Sequence, residues 1–511
     1  METLGDMLER NAKFLGSREA FLFEGRRISH GAFFQRARKL AEALYRSGMR
    51  RGDRIAVLAT NCHEIWEILG AAEVAGYIAV PLNFRLAPAE LTSILREVVP
   101  KVLVVEPKFA TAVADIRSSD SAPICLALGN GPAIEGIDSY DDFVASGLDS
   151  GPPIRAKSDD LVYLFYTSGT TGRPKGVMIA QGSALGAASS TATETEIAKG
   201  GSWLVHSPQF HVGANGLRIA QQLRGGRTVL HRSFSPERTL QDIAAERING
   251  TFTVASMLQA ILDVPGADRY DLSSMSAWMI AGAPASVELI RRAIERLGRI
   301  FVIQYGMTEG RATSMYRYEV DPDGDEKTVR RLASCGRSSP DSELKVVDDE
   351  GRECPPHVPG EVLFRNANLF KGYWNNSVAT IEALRDGWMH SGDLGYLDDD
   401  QYLYLVDRKK DMIISGGENI YSREVEDAVI SCPGVKEVAV IGVSDAKWGE
   451  VPKAFVVLHR EAVASEAQIV AHCRELIAHY KCPKYVEFVD ALPLGPTGKI
   501  DKLTLRSRKK G

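Results

Sequence analysis

From residue 19 to residue 106 the spacing of apolar positions switches repeatedly between the two-residue period of a strand and the 3.6-residue period of a helix. Residues 19–32 read as a short hairpin turning at Glu24-Gly25, and residues 33–48 as a helix. A strand at 55–59, a helix at 62–75, a strand at 78–82, a helix beginning near Pro88 and a strand at 102–106 follow. This alternation predicts α/β layers. A second series carries strands at 161–166, 202–206, 228–230, 251–255 and 301–304, with Gly-rich and helical stretches between them. Residues 121–160 are broken up by Gly, Pro, Ser and Asp and read as a variable connection.

From about residue 340 short strands and turns dominate, at 344–348, 360–364 and 402–406. The charged run Asp407-Arg408-Lys409-Lys410-Asp411 then interrupts the apolar pattern as an exposed linker would. Beyond it lie a helix at 422–430, strands at 436–442 and 454–458, a helix at 466–479 and a strand at 485–489. The expected fold is a large multi-sheet α/β N-terminal domain, residues 1–407, with a small α+β C-terminal domain, residues 408–511.

Composition narrows the classes. The 511 residues are more than one ordinary core serves, and 44% hydrophobic with 25% charged residues is normal globular usage. With 66 acidic against 61 basic residues the net charge is -5, so no excess positive field favours a nucleic-acid partner. The seven cysteines show no paired metal-ligand spacing and point to reduced thiols in a cytoplasmic protein. The N-terminal segment lacks the basic-then-apolar order of a secretory signal. The longest apolar neighbourhood, 68–82, is too short to cross a bilayer, so no integral membrane segment is expected; contact with a membrane surface stays open.

The segment YTSGTTGRPKG at 166–176 directly follows the apolar strand LVYLF. Its glycines permit tight backbone paths, its hydroxyls supply donors and Lys175 adds positive charge, which together suit phosphate oxygens. The register differs from GxxxxGK[ST], because Gly176 follows Lys175. Two further turns end expected strands: GAPAS at 282–286 and QYGMTEG at 304–310. Tyr305 can cover a purine face, Thr308 can donate to a phosphoryl oxygen and Glu309 can help hold Mg²⁺. Asp393 in HSGDLGY can accept from both ribose hydroxyls, and Arg408 offers a forked cationic donor. In SPQFHVGANG, 207–216, Phe210 and Val212 can wall an apolar pocket while Ala214 and Gly216 leave volume; His211 can gate it, hydrogen-bond or satisfy the core.

These motifs together resemble the adenylate-forming family that contains acyl-CoA synthetases, adenylation domains and firefly-type luciferases, over nearly the whole chain. The resemblance assigns Thr167, Ser168, Gly169, Thr170, Thr171, Gly172 and Lys175 to ATP phosphates. It assigns Gly282, Ala283 and Pro284 to an adenine-side loop, Tyr305, Thr308 and Glu309 to adenine, phosphate and metal, and Asp393 with Arg408 to the ribose. His211 matches a substrate-gate residue, Lys499 in PLGPTGKID the adenylation lysine, Lys410 the domain pivot and Gly417 in SGGENI the coenzyme A side. The usual His after the phosphate loop is replaced by Gln181.

What the resemblance implies is an ATP- and Mg²⁺-dependent acyl-CoA synthetase that makes acyl-AMP from a carboxylic acid and passes the acyl group to coenzyme A. A medium- or long-chain fatty acid is the expected substrate. An aryl-acid CoA ligase and an enzyme loading a separate carrier protein are the alternatives, and a light-producing oxygenase shares the chemistry without independent support. Homodimerisation is left open. Because a carboxylate is already ionised near neutral pH, the chemistry needs charge neutralisation and alignment rather than a base.

Overall fold

The computed structural model describes residues 1–117, 122–129, 137–167, 174–282, 285–408 (Arg408 by its backbone), 411–415, 418–445, 447–460, 462–495 and 499–507. The chain divides into two compact units, one of Met1–Leu344 with Phe364–Met389, the other of Lys345–Leu363 with His390–Gly511.

Two sheets organise the first unit. The nine-stranded sheet runs in the order Arg337–Ser338, Gly310–Met315, Phe301–Met307, Ala277–Ala281, Gly250–Thr253, Ser202–Val205, Arg227–Leu230, Glu19–Phe23, Arg26–Ser29. Neighbours from Phe301–Met307 across to Glu19–Phe23 pair in parallel, and the flanking strands are antiparallel. The seven-stranded sheet runs Asp138–Ser139, Ile124–Ala127, Val102–Val105, Arg54–Leu58, Ile78–Pro81, Leu161–Thr167, Lys175–Ala180. Its inner strands Val102–Val105 and Ile78–Pro81 are buried at every position, as parallel strands covered on both faces require. The helix Pro88–Val98 supplies Leu91, Ile94, Leu95 and Val98 to this core, a helical stripe read directly from its spacing.

The elements expected at 19–32, 33–48, 55–59, 62–75, 78–82 and 102–106 appear as Glu19–Phe23 with Arg26–Ser29, His30–Arg46, Arg54–Leu58, His63–Ala75, Ile78–Pro81 and Val102–Val105. Residues 121–160 correct the expectation of a plain connection. Ile124–Ala127 and Asp138–Ser139 extend the seven-stranded sheet, and the helix Tyr140–Ala145 buries Tyr140 and Val144.

In the second unit, Val435–Asp445 and Gly449–Leu458 form a long antiparallel hairpin. Tyr485–Phe488 joins it in parallel, and Ile413–Ser415 with Glu418–Ile420 extends the other edge. Alternation along the strands gives this sheet two apolar faces. Val438, Val440, Ala454 and Val456 pack with Val425 and Val429 of the helix Ser422–Ile430 and with Ile469 and Cys473 of the helix Glu466–Leu476. Ala439, Ile441, Phe455 and Val457 pack with Leu492 and Leu505, the latter from the short helix Lys502–Ser507. The fold is thus a large α/β part with mixed sheets followed by a smaller α+β part. Among the described residues no helix is long and apolar enough to cross a membrane, and none of the seven cysteines forms a disulfide.

Candidate active site

The strand Leu161–Thr167 ends where the glycine- and hydroxyl-rich loop begins, and it pairs antiparallel with Lys175–Ala180 so that Thr167 stands opposite Lys175. Both ends of the loop are therefore fixed, while Ser168, Gly169, Thr170, Thr171 and Gly172 lie outside the described residues. The strand Lys175–Ala180 is braced along its other side by the segment 371–374. Trp374 N donates to Gly176 O at 2.8 Å, Lys371 N to Met178 O at 2.8 Å, and Met178 N to Gly372 O at 3.0 Å. Tyr373 in that segment lies under Lys175, whose Nζ is 4.9 Å from the ring centroid.

The same tyrosine reaches the second motif. Phe301–Met307 turns through Thr308-Glu309 into the antiparallel strand Gly310–Met315, with an irregularity between Tyr305 and Gly306. Glu309 is buried at 8% exposure; its Oε1 accepts from Tyr373 Oη at 2.7 Å, and its carbonyl accepts from Phe370 N at 2.9 Å. Burial first, and the neighbouring Glu309 charge second, push the Tyr373 hydroxyl well above the ordinary phenol range. Tyr373 is therefore a proton donor at every working pH. Lys175, at the exit of the glycine- and hydroxyl-rich loop, and Glu309 share this one side chain. No pattern in the sequence marks Tyr373, because the pairing spans 64 residues.

Among the described residues no group of three or more His, Cys, Asp or Glu gathers into a metal cluster. Thr308 and Glu309 offer one hydroxyl and one carboxylate. That donor set fits a magnesium ion whose other octahedral positions come from nucleotide oxygens and water. Tyr305 is nearly buried, at 9% exposure. Gly282 ends the strand Ala277–Ala281 with φ +82°, a left-handed backbone that favours glycine, and Ala283 and Pro284 lie outside the described residues.

The segment expected to meet the acid is the N-terminal end of the helix Val212–Leu223. His211 is its cap residue by backbone geometry, half-buried, with its ring 4.4 Å from that of Phe210. Phe210 is buried edge-on against Phe84, at 5.4 Å and 80°. Ala214 faces the core with no exposure, which corrects its assignment to the pocket volume. The room lies instead along Gly213 and Gly216. A Cβ on Gly216 would meet nothing within 4 Å, and one on Gly213 would meet only Phe252 Cε1 at 3.8 Å. A Cβ on Gly282 would lie 3.5 Å from Val254. Phe252 is held from behind by His206, whose Nε2 lies 2.9 Å from its carbonyl. Burial first, and the neighbouring His231 second, lower the His206 pKa to about 3, so this ring is neutral.

Asp393, Arg408 and Lys499 belong to the second unit. Asp393 is 6% exposed, its N–H donates to Ser391 Oγ at 3.0 Å, and it stands opposite Arg408 in the pairing of Trp388–Leu397 with Leu403–Arg408. Neighbouring Asp407 accepts at 3.1 Å from Ser422 Oγ, at the start of the helix Ser422–Ile430. Lys499 is exposed on a narrow loop closed by Gly495 N to Lys499 O at 2.7 Å and by Asp501 N to Pro493 O at 2.8 Å. The buried Leu492 and Leu505 hold that loop on the sheet from both sides. Lys410 and Gly417 lie outside the described residues.

A sequence model for AMP-binding enzyme matches residues 8–374, and one for the AMP-binding enzyme C-terminal domain matches residues 424–499. The chain belongs to the AMP-binding, adenylate-forming enzyme family. It is 37% identical over 506 residues to a feruloyl-CoA synthase of Amycolatopsis sp, covering 99% of each chain. It is 35% identical over 515 residues to the long-chain-fatty-acid–CoA ligase FadD13 of Mycobacterium tuberculosis, again covering 99% of each. Among solved structures it resembles the o-succinylbenzoate CoA synthetase of Bacillus subtilis bound to its acyl-adenylate. There the TM-score is 0.87 at 29% identity, with 99% of this chain and 98% of that one covered. This member of the family is an AMP-forming acid–thiol ligase that uses ATP, Mg²⁺ and coenzyme A to activate a carboxylic acid.

Proposed function

We propose that this ligase acts on a ring-bearing carboxylic acid of phenylpropanoid size, forming its acyl-AMP and then its coenzyme A thioester. The observation that carries this reading is the glycine edge of the helix Val212–Leu223, with Gly213 set against the ring of Phe252 and open space at Gly216. A flat slot beside an aromatic face suits an aryl group. Feruloyl-CoA synthase and o-succinylbenzoate CoA synthetase, both named for aromatic acids, support the same choice. A long acyl chain is the second reading, favoured by the similarity to FadD13.

In the first half-reaction the acid carboxylate attacks the ATP α-phosphorus and pyrophosphate leaves. Lys499 offsets the charge of the two anions, Thr308 and Glu309 serve the phosphate and metal side, and Tyr305 with Gly282 and the following Ala283-Pro284 serves adenine. Thr167, Lys175 and the loop between them bind phosphate, Asp393 with Arg408 holds the ribose, and His211 gates the acid. In the second half-reaction the coenzyme A thiolate attacks the acyl carbonyl and AMP leaves. Gly417 keeps the pantetheine route narrow but passable, and the C-terminal portion expected to begin at residue 408 pivots at Lys410 between the two steps. The thiol-only cysteines accord with a cytoplasmic location.

An acid panel read as AMP release, with and without coenzyme A, tests this. Aryl-propenoic or benzoic acids are expected to exceed octanoate and palmitate by about ten-fold in kcat/KM. A fatty acid turning over better than every aryl acid overturns the aryl reading.

A further inference from the structure

Helix Val212–Leu223 carries one arginine, Arg218, with no exposure, and it meets Glu73 of the helix His63–Ala75, also with none. Tyr163 Oη donates to the same Glu73 oxygen, and Arg218 Nη2 lies 3.2 Å from Tyr163 Oη. Asn215 Oδ1 accepts from Arg218 Nε at 3.0 Å and from Nη2 at 2.9 Å, and Gln222 Oε1 accepts from Nη1 at 3.0 Å. The backbone of Glu73 is engaged as well: its carbonyl accepts from Gln181 Nε2 at 3.1 Å, while Gln181 Oε1 accepts from Leu4 N at 3.1 Å.

The placement of these partners gives the cluster a meaning. Tyr163 lies on the strand entering the phosphate loop, and Gln181 is the first residue after the strand leaving it. Arg218 lies on the helix whose first turns, at Gly213 and Gly216, bound the acid slot. One glutamate therefore ties the strand entering the phosphate loop, through its carboxylate, and the residue following the strand that leaves it, through its carbonyl, to the acid helix. A buried ion pair gains little over apolar residues of similar volume, because desolvation offsets its Coulomb attraction. Its directional bonds, by contrast, fix three elements at defined distances.

We infer that Arg218 and Glu73 are positioning residues that set the acid slot in register with the phosphate loop, so that the carboxylate lies in line with the α-phosphorus. This rests on the reading of Gly213 and Gly216 as the acid wall. A displacement near 1 Å of a reactant costs up to about a hundred-fold in rate, so a loosened helix is expected to act on the acid far more than on ATP.

The test compares the full chain with two variants, Arg218→Lys and the apolar triple Arg218→Met/Glu73→Leu/Tyr163→Phe, with ferulic or benzoic acid as the varied substrate and pyrophosphate release as the readout. The triple variant leaves the buried Asn215 Oδ1 and Gln222 Oε1 without their donor, so it is expected to fold but to unfold below the wild-type temperature, with acid KM raised about ten-fold and ATP KM within about two-fold. Arg218→Lys keeps the charge and loses the fork to Asn215 and Gln222, and acid KM is expected to rise there too. Acid KM within about two-fold of wild type in Arg218→Lys and in a folded triple variant overturns the inference. Gly216→Leu separates the two readings: if it raises acid KM while the arginine variants do not, the positioning role alone fails. If it too leaves acid KM unchanged, the acid-wall reading fails and the inference falls with it.

Discussion

Tyr373→Phe isolates one bond of the site. The variant removes the hydroxyl that donates to Glu309 Oε1 at 2.7 Å and keeps the ring beneath Lys175, so the phosphate side loses nothing directly. A hydrogen bond to a charged group contributes about 1.5–3 kcal/mol, which corresponds to roughly 10- to 100-fold. The backbone bond from Phe370 N to Glu309 O remains and keeps the turn in place, so the lower end is expected, about ten-fold. The loss should appear as a higher magnesium requirement and a lower kcat/KM for ATP in pyrophosphate release. Thioester formation from supplied acyl-AMP should change little, because that step no longer needs the metal-facing carboxylate. Unchanged magnesium dependence together with a kcat/KM for ATP within about two-fold of wild type would refute the assignment of Glu309 to the metal.

Lys499→Ala should fold normally, since the side chain is exposed, yet lose about 100- to 1000-fold in acyl-AMP formation while transfer from supplied acyl-AMP suffers less; equal loss in both half-reactions counts against it. Gly417→Leu should slow thioester formation more than acyl-AMP formation, and a folded variant with normal thioester output would contradict that role. His206 and His30 have pKa values lowered, chiefly by burial, to about 3 and about 4. Each binds a proton more readily when unfolded, so its contribution is complete above about pH 6.5 and falls as the pH drops toward those values, by about 1.4 kcal/mol per unit for each. Chemical denaturation between about pH 7 and pH 5 should follow the combined slope of the two and His206→Gln should roughly halve it, His30 supplying the rest; a flat wild-type profile would speak against it.

Much of this architecture was legible in the sequence because burial wrote it there. Strands such as Val102–Val105 and Ile78–Pro81 are unbroken apolar runs, and helices such as Pro88–Val98 show a clean stripe. The strands at 124–127 and 138–139 escaped because glycine, proline and serine surround them and the sheet beside them supplies the order. The candidate site divides in the same way. Motif residues on one turn, such as Thr308 and Glu309, announce themselves through adjacency. Tyr373 and Arg218 meet partners 64 and 145 positions away, a separation that no local spacing signals. Ala214 and Gly216, small residues of one helix turn, point in different directions, and only packing decides that Ala214 faces the core while Gly216 borders open space.

The short helix Lys502–Ser507 closes the second face of the small sheet through Leu505. Trimming the chain at residue 501 would uncover Ala439, Ile441, Phe455 and Val457, an apolar patch beside the loop that carries Lys499. Such a truncation would yield a sticky, aggregation-prone protein whose lost activity says nothing about the lysine itself, whereas an affinity tag appended after Gly511 keeps the Leu505 plug in its socket.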